Sequence, residues 1–252
     1  MNNTLTHKID IAGIGISNLY FNEAIHVLNS AIKESSKIRV CVTPVNCLVW
    51  AQDDQKLKDL YNTADIAFCD GVPLIWMSKF LSTPIKERIT GLDLLPKFAE
   101  KCAEEGHSMF LLGAKEGVAE ILRSKFETDY PRIKIVGVYS PPFAERFSDE
   151  ENLKMINMIN TAKPNVLWVS LTAPKQDFWI FEHLDKLDVN IAIGVGGAFE
   201  VSAGLISRAP VWMQKRGLEW LFRFINEPKR LFRRYFIEAP LIFPHILSQK
   251  LR

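Results

Sequence analysis

Short runs of β-branched and apolar residues alternate, over the first 206 positions, with longer stretches whose apolar residues recur every three or four places. The runs at residues 9–16, 38–43, 66–69, 109–112, 133–138, 166–171 and 191–195 read as strands. Between them the helical period predicts helices over 22–33, 57–62, 92–105, 118–126, 149–161 and 175–186. Most of the later strands are apolar at nearly every position, as parallel strands are when helices cover both faces. The pattern predicts an α/β fold: a Rossmann-like, mostly parallel sheet flanked by helices. Ligands of such sheets bind beyond the carboxyl ends of the strands.

After residue 206 the strands stop. Val211, Trp212, Leu218, Leu221, Phe222 and Ile225 lie at helical spacing, Pro228 interrupts, and a second helix is expected to reach Glu238. Pro240 and Pro244 are expected to break up the apolar end. The organisation expected is an α/β catalytic domain over 1–206 and a helical appendage over 207–252. Truncation after about Ser207 is then expected to leave a folded core.

Charge marks the same boundary. The chain of 252 residues has a net charge of only +2, yet residues 208–252 hold ten Lys/Arg against three Asp/Glu, or +7, leaving −5 for the rest. Such asymmetry points to an anionic partner, or to a solvated basic face with none. Trp212, Trp220, Phe222, Phe224, Phe232 and Phe236 are interleaved with the basic residues, as in a helix lying on an anionic lipid surface. No stretch reaches the roughly 18–20 apolar residues that span a bilayer. The segment Met1 to Lys8 lacks the apolar core of a secretory signal. Peripheral contact at the cytoplasmic side of a membrane is the expectation. Cys41, Cys47, Cys69 and Cys102 show no metal-ligand spacing and read as reduced core thiols.

Polar clusters follow several strands. In Thr43-Pro44-Val45-Asn46, Pro44 keeps Thr43 extended, so the turn presents a hydroxyl and an amide or caps the next helix. Asp70 ends a short apolar strand and Gly71 lets the backbone turn; the carboxylate is a general base or a cap for the helix that Pro73 starts. Arg88, just before a helix start at Thr90-Gly91, suits a phosphate through its planar fork, or solvates the surface. Lys175, Gln176 and Asp177 open a helix after Pro174, placing free N–H groups near two polar side chains that fit a diphosphate or a uracil edge. Gly194, Gly196 and Gly197, followed by Glu200, permit close approach of a ligand to the backbone.

Several chemistries lack their motif. There is no aspartate pair at i, i+2 for a divalent metal, no P-loop, no HExxH, and the Gly13/Gly15 fingerprint is incomplete. A nucleotide-sugar epimerase or dehydrogenase, and a non-enzymatic adaptor using the basic tail, are the competing classes. Nucleotide-cofactor binding would revive the first; a UDP-binding test separates out the second.

Taken in order, TPVN at 43–46, ADIAFCDG at 64–71, ERITGLDL at 87–94, VGVYSPPF at 136–143, APKQD at 173–177, GVGGAFEVSAG at 194–204 and the basic run at 208–235 resemble the WecG/TagA/CpsF family of glycosyltransferases. The resemblance implies an inverting, metal-independent transferase without a cofactor. It would use a UDP-sugar donor and a polyprenyl-diphosphate-linked acceptor in envelope or exopolysaccharide synthesis, with no nucleic-acid partner. It places the base at Asp70 and carries Thr43, Asn46, Arg88 and Gln176 into the site. It also implies an arginine-rich appendage that docks on the membrane and completes the site; Arg216 and Arg223, then Arg208 and Arg230, are the arginines expected to reach a diphosphate. Two positions depart from the pattern: Asp177 replaces the usual Glu of PKQE, and Glu200 the usual Asp of GxFD.

Overall fold

The computed structural model describes residues 6–251; residues 1–5, on which part of the secretory-signal reading falls, and Arg252 of the basic run lie outside them. Six parallel strands form the main sheet: β3 (Ile38–Pro44), β4 (Ile66–Asp70), β5 (Ser108–Gly113), β6 (Lys134–Tyr139), β7 (Val166–Ser170) and β8 (Ile191–Gly194), in the spatial order β4-β3-β8-β7-β5-β6. Neighbouring pairs are β3 with both β4 and β8, β8 with β7, β7 with β5, and β5 with β6. The sequence prediction of a parallel α/β sheet matches this architecture.

The continuous apolar runs have a direct cause. Along β7, Val166 and Trp168 enter one apolar cluster while Leu167 and Val169 enter another on the opposite face. Period-two alternation puts successive side chains on opposite faces, and both faces here are dry. The first face is covered by α1 (Phe21–Lys33), α5 (Gly91–Glu105), α6 (Val118–Asp129) and α9 (Ala198–Ser202); Phe98 of α5 meets Trp168 edge-on at 6.2 Å. The second carries α2 (Val45–Asp53), α3 (Gln55–Asn62), α4 (Val72–Phe80), α7 (Asp149–Ala162) and α8 (Lys175–His183). Truncating a fully buried residue such as Trp168 to Ala costs about 3–5 kcal/mol.

Residues 9–16 are not one strand. They fold as a hairpin of β1 (Lys8–Ile11) and β2 (Ile14–Ser17), with Ile9 opposite Ile16 and Ile11 opposite Ile14. Ala12 and Gly13, at φ 53° and 79°, make the two-residue turn. The signal is parity: Ile9 and Ile11 are odd, Ile14 and Ile16 even, so one straight strand would split them between two faces. The turn brings all four to one buried face. Gly13 therefore serves a turn, not a nucleotide.

The appendage also departs from the expected pair of helices. It runs as α10 (Val211–Lys215), α11 (Glu219–Asn226), α12 (Pro228–Phe232), a π-helical turn (Arg233–Glu238), a 3-10 turn (Ala239–Ile242) and α13 (Phe243–Lys250). The first expected helix breaks at Gly217, at φ 72°, where a Cβ would lie 2.9 Å from Val72 of α4. Pro240 and Pro244 stand in the first turns of helical segments, where the missing N–H costs nothing, rather than breaking them. Ile242 and Ile246 are buried in the same cluster as Ile9, Ile11, Leu48 and Leu74. The appendage thus closes part of the core, which removes the basis for expecting a stable fragment after Ser207.

Candidate active site

Four adjacent strands, β4, β3, β8 and β7, deliver the polar residues to one end of the sheet. Register aligns Thr43 with Cys69 and Pro44 with Asp70, while Cys41 and Val169 both face Gly194. All of these positions except Cys41, which is mid-strand in β3, are at carboxyl strand ends, and α8 and α9 begin there too.

Asp70 is the last residue of β4 and is half-buried; Gly71, at φ 123°, turns the chain into α4. Burial lifts the Asp70 carboxyl above the usual carboxylate range, while the positive charges of Arg223, Arg88 and Arg234 pull against that rise. The result is a carboxylate more basic than a solvent-exposed one and under the electrostatic influence of three guanidinium groups, two of them from the appendage.

Thr43 is fully buried, and its Oγ1 has no hydrogen-bond partner; Asp177 Oδ1 and Glu200 Oε2 are the other unpartnered buried side-chain atoms among the described residues. All three belong to strand-end clusters. An unpaired buried polar atom costs about 1–3 kcal/mol, so their convergence on one end of the sheet fits a ligand that pairs some of them.

Asn46, in the first turn of α2, is buried and held by the appendage: Arg234 Nε donates to its Oδ1 at 3.0 Å, and its Nδ2 donates to the Arg234 carbonyl at 3.2 Å and to Glu238 at 3.4 Å. Arg88 belongs to a four-charge network. It contacts Glu219 at 3.1 Å and Asp93 at 3.8 Å, while Arg208 reaches Asp93 at 2.7 Å and Glu219 at 2.8 Å. Burial works against ionisation of Asp93 and Glu219, but the two arginines win and hold both carboxyls below the usual range.

Gln176 Oε1 accepts from the Gly196 N–H at 2.9 Å, bracing the glycine loop after β8. Gly196, at φ 55°, has open space where a Cβ would stand. Lys175 donates to the Ala144 carbonyl and lies 3.7 Å over the Phe147 ring, and burial lowers its pKa. Its amino group therefore serves the loop after β6. Asp177 faces inward: its Oδ2 accepts from Tyr61 Oη at 3.0 Å, and burial raises its pKa to about 7 against the pull of Tyr61 and Arg39.

The model of the Glycosyl transferase WecG/TagA/CpsF family matches residues 9–252. The chain belongs to this family. It is therefore a glycosyltransferase, and the sequence resemblance stands on nearly the whole chain. Among its relatives are the N-acetylglucosaminyldiphosphoundecaprenol N-acetyl-beta-D-mannosaminyltransferases of Staphylococcus aureus strains MW2 and NCTC 8325, each 27% identical over 230 residues that cover 90% of this chain and 88% of the relative.

Within this family member the appendage arginines do not share one face. Pro228 disfavours helix at Glu227, whose φ of −134° ends α11, so Arg216, Arg223, Arg230 and Arg234 belong to successive short helical segments rather than one continuous helix. The charge of Arg223 acts on Asp70, and Arg234 bonds Asn46. Arg216 lies 5.8 Å over Trp212, and Arg230 pairs with Glu227 at 2.5 Å on the exposed side. Glu219 and Arg234 are structural partners of the site; their spacing puts them in one charged series with Arg216, Arg223, Glu227 and Arg230 but does not tell which members reach the site. Burial pushes the Cys41 and Cys102 thiols up to about 12, which fits inert core packing. Among the described residues no group of His, Cys, Asp or Glu is arranged as a metal site, and no helix is long and apolar enough to cross a membrane.

Proposed function

We propose that the protein is an inverting transferase moving a hexose or N-acetylhexosamine from a UDP-sugar to a polyprenyl-diphosphate-linked saccharide at the inner membrane face. N-Acetylmannosamine and N-acetylglucosaminyldiphosphoundecaprenol, the pair in the names of the relatives, are the first candidates. The observation that carries the reading is Asp70: a half-buried carboxylate at a strand end, its pKa raised by burial against the charges of Arg223, Arg88 and Arg234.

The chemistry is a single displacement. The acceptor hydroxyl oxygen forms a bond to the anomeric carbon as the bond from that carbon to the diphosphate oxygen breaks on the opposite face. UDP departs with the electron pair, and the hydroxyl proton passes to Asp70. A placed general base contributes about 10²–10⁴-fold. Negative charge growing on the leaving diphosphate is met by guanidinium groups at a half-dry strand end, where they act more strongly than in water. In this reading donor and acceptor lie against Thr43, Asn46, Gly196, Gly197 and Gln176, Lys175 contributes by holding the loop after β6, and Glu200 offers a carboxylate to the sugar. Arg88 and Arg208 reach a phosphate only by exchanging it for Asp93 or Glu219.

A panel of UDP-sugars incubated with a short-chain polyprenyl-diphosphate N-acetylglucosamine, read by product mass, tests the reading. One added sugar residue is expected, formed equally with and without EDTA. Failure of every UDP-sugar would sink the donor assignment, and loss of product on chelation, restored by Mg²⁺, would sink metal independence.

A further inference from the structure

α4 connects the candidate base to an unpartnered aromatic face. The helix starts two residues after Asp70 and its nine residues run about 13 Å. Leu74, Met77 and Ser78 pack into the core, whereas Trp76 and Phe80, one turn apart on the other side, are 62% and 52% exposed. This face is continuous with the appendage at both ends. Val72 abuts Gly217, next to α10 with its exposed Val211 and Trp212, and Lys250 of α13 donates to Ser82 at 2.7 Å with its amino group 5.8 Å from the Phe80 ring centre. Exposed Lys79 lies on the same stretch. Tryptophan and phenylalanine flanked by lysines are the composition of an element seated at the headgroup–acyl boundary, and the +7 appendage beside it complements anionic lipid.

We propose that α4 is a second membrane contact, belonging to the α/β domain itself, that inserts Trp76 and Phe80 into an anionic bilayer beside the appendage. The proposal rests on the peripheral-membrane reading above. Its consequence is orientation: the helix headed by the Asp70–Gly71 turn lies on the lipid surface, so the carboxylate is brought to the depth at which a lipid-linked diphosphate presents its sugar.

The test compares the full-length protein with the double variant Trp76→Ser/Phe80→Ser, using sedimentation with phosphatidylglycerol–phosphatidylcholine vesicles. Turnover of a water-soluble short-chain acceptor is measured in parallel. The double variant is expected to partition about tenfold less, since binding scales with buried apolar area, and to keep its short-chain turnover. Phe143→Ser, which alters a fully exposed aromatic on the loop after β6, serves as the control and leaves partitioning unchanged. Because the four native cysteines are buried, Trp76→Cys carrying an environment-sensitive fluorophore gives a second readout, expected to shift blue with vesicles. Wild-type partitioning by the double variant together with an unshifted label overturns the α4 contact and leaves the appendage as the membrane element. A wild-type protein that binds no vesicle overturns the peripheral reading and this inference with it. A lipid-free dimer that the double substitution dissolves reassigns the face to a second copy.

Discussion

Arg234 and Asn46 stand 188 residues apart and exchange two hydrogen bonds, Arg234 Nε to Asn46 Oδ1 at 3.0 Å and Asn46 Nδ2 to the Arg234 carbonyl at 3.2 Å. One is in the π-helical turn of the appendage, the other in the first turn after β3. The appendage is thereby fastened to a strand-end residue of the candidate site. In a double-mutant cycle, Asn46→Ala and Arg234→Ala are expected to show a coupling of roughly 1–3 kcal/mol in urea unfolding, the range for a charge-assisted bond between a buried and a half-buried partner. Additive effects would mean that the contact does not hold the two parts together.

Asp70→Asn removes the proposed base and keeps the side-chain shape. Turnover is expected to fall at least ~10²-fold, with UDP binding retained by calorimetry. In the wild-type protein the active, ionised form is lost as pH falls through a pKa raised above the usual 3.8, so kcat/KM has an acid limb shifted toward neutrality. Arg223 lowers that pKa, so Arg223→Ala moves the limb to higher pH. A limb that stays in place in this variant, or normal turnover in Asp70→Asn, removes the carboxylate from the mechanism.

Two glycines separate backbone strain from ligand contact. Gly196 and Gly106 both have positive φ, 55° and 77°, and neither would meet an atom closer than 3.6 Å on gaining a Cβ. Each Gly→Ala change is expected to cost about 1–2 kcal/mol of stability. Gly106 caps α5 at the amino end of the sheet, so its variant should bind UDP normally. Gly196 borders the candidate site, and its variant should lose about tenfold or more in UDP affinity through lost close approach of the backbone. Equal affinities in the two variants would exclude the glycine loop from nucleotide binding.

Asp177 gives a stability signature. Its pKa of about 7 lies above the ordinary 3.8 because burial disfavours the anion. Between those values the folded chain holds a proton that the unfolded chain has released, so stability declines as pH rises through that window and levels off above it. The steepest slope from one such group is ~1.4 kcal/mol per pH unit. Asp177→Asn keeps an oxygen for the Tyr61 hydroxyl and is expected to flatten the decline. Chemical unfolding at pH values from about 4 to 8 measures it; an unchanged slope would assign the effect to other groups.

The sheet and most helices were legible in sequence because their apolar periods are long and regular. The hairpin of β1 and β2 was not, although the switch of parity between Ile11 and Ile14 carried it. Asp70, Thr43 and Gln176 could be placed at strand ends because the polar residues interrupt apolar runs. The partners Arg234 and Glu219 could not: nothing in local spacing tells which of ten basic residues in residues 208–252 reaches back to Asn46, nor that Glu219 bridges Arg88 and Arg208. Pro228 and Gly217 redirect that segment, so its contacts depend on tertiary geometry that a helical wheel cannot supply.

The cluster shared by the first hairpin and the last helix sets an order of events during synthesis. The backbone N–H of Ala12 donates to Gln249 Oε1 across 237 residues, and Ile9 and Ile11 share their apolar cluster with Ile242 and Ile246. Contacts of such separation form late, since a long loop has to close before they stabilise anything. A nascent chain that has already made every described strand still lacks the cover of β1 and β2 until residues 242–249 follow. A chain interrupted before Ile242 would therefore leave β1 and β2 uncovered far back in its sequence, and expose their apolar face to quality control.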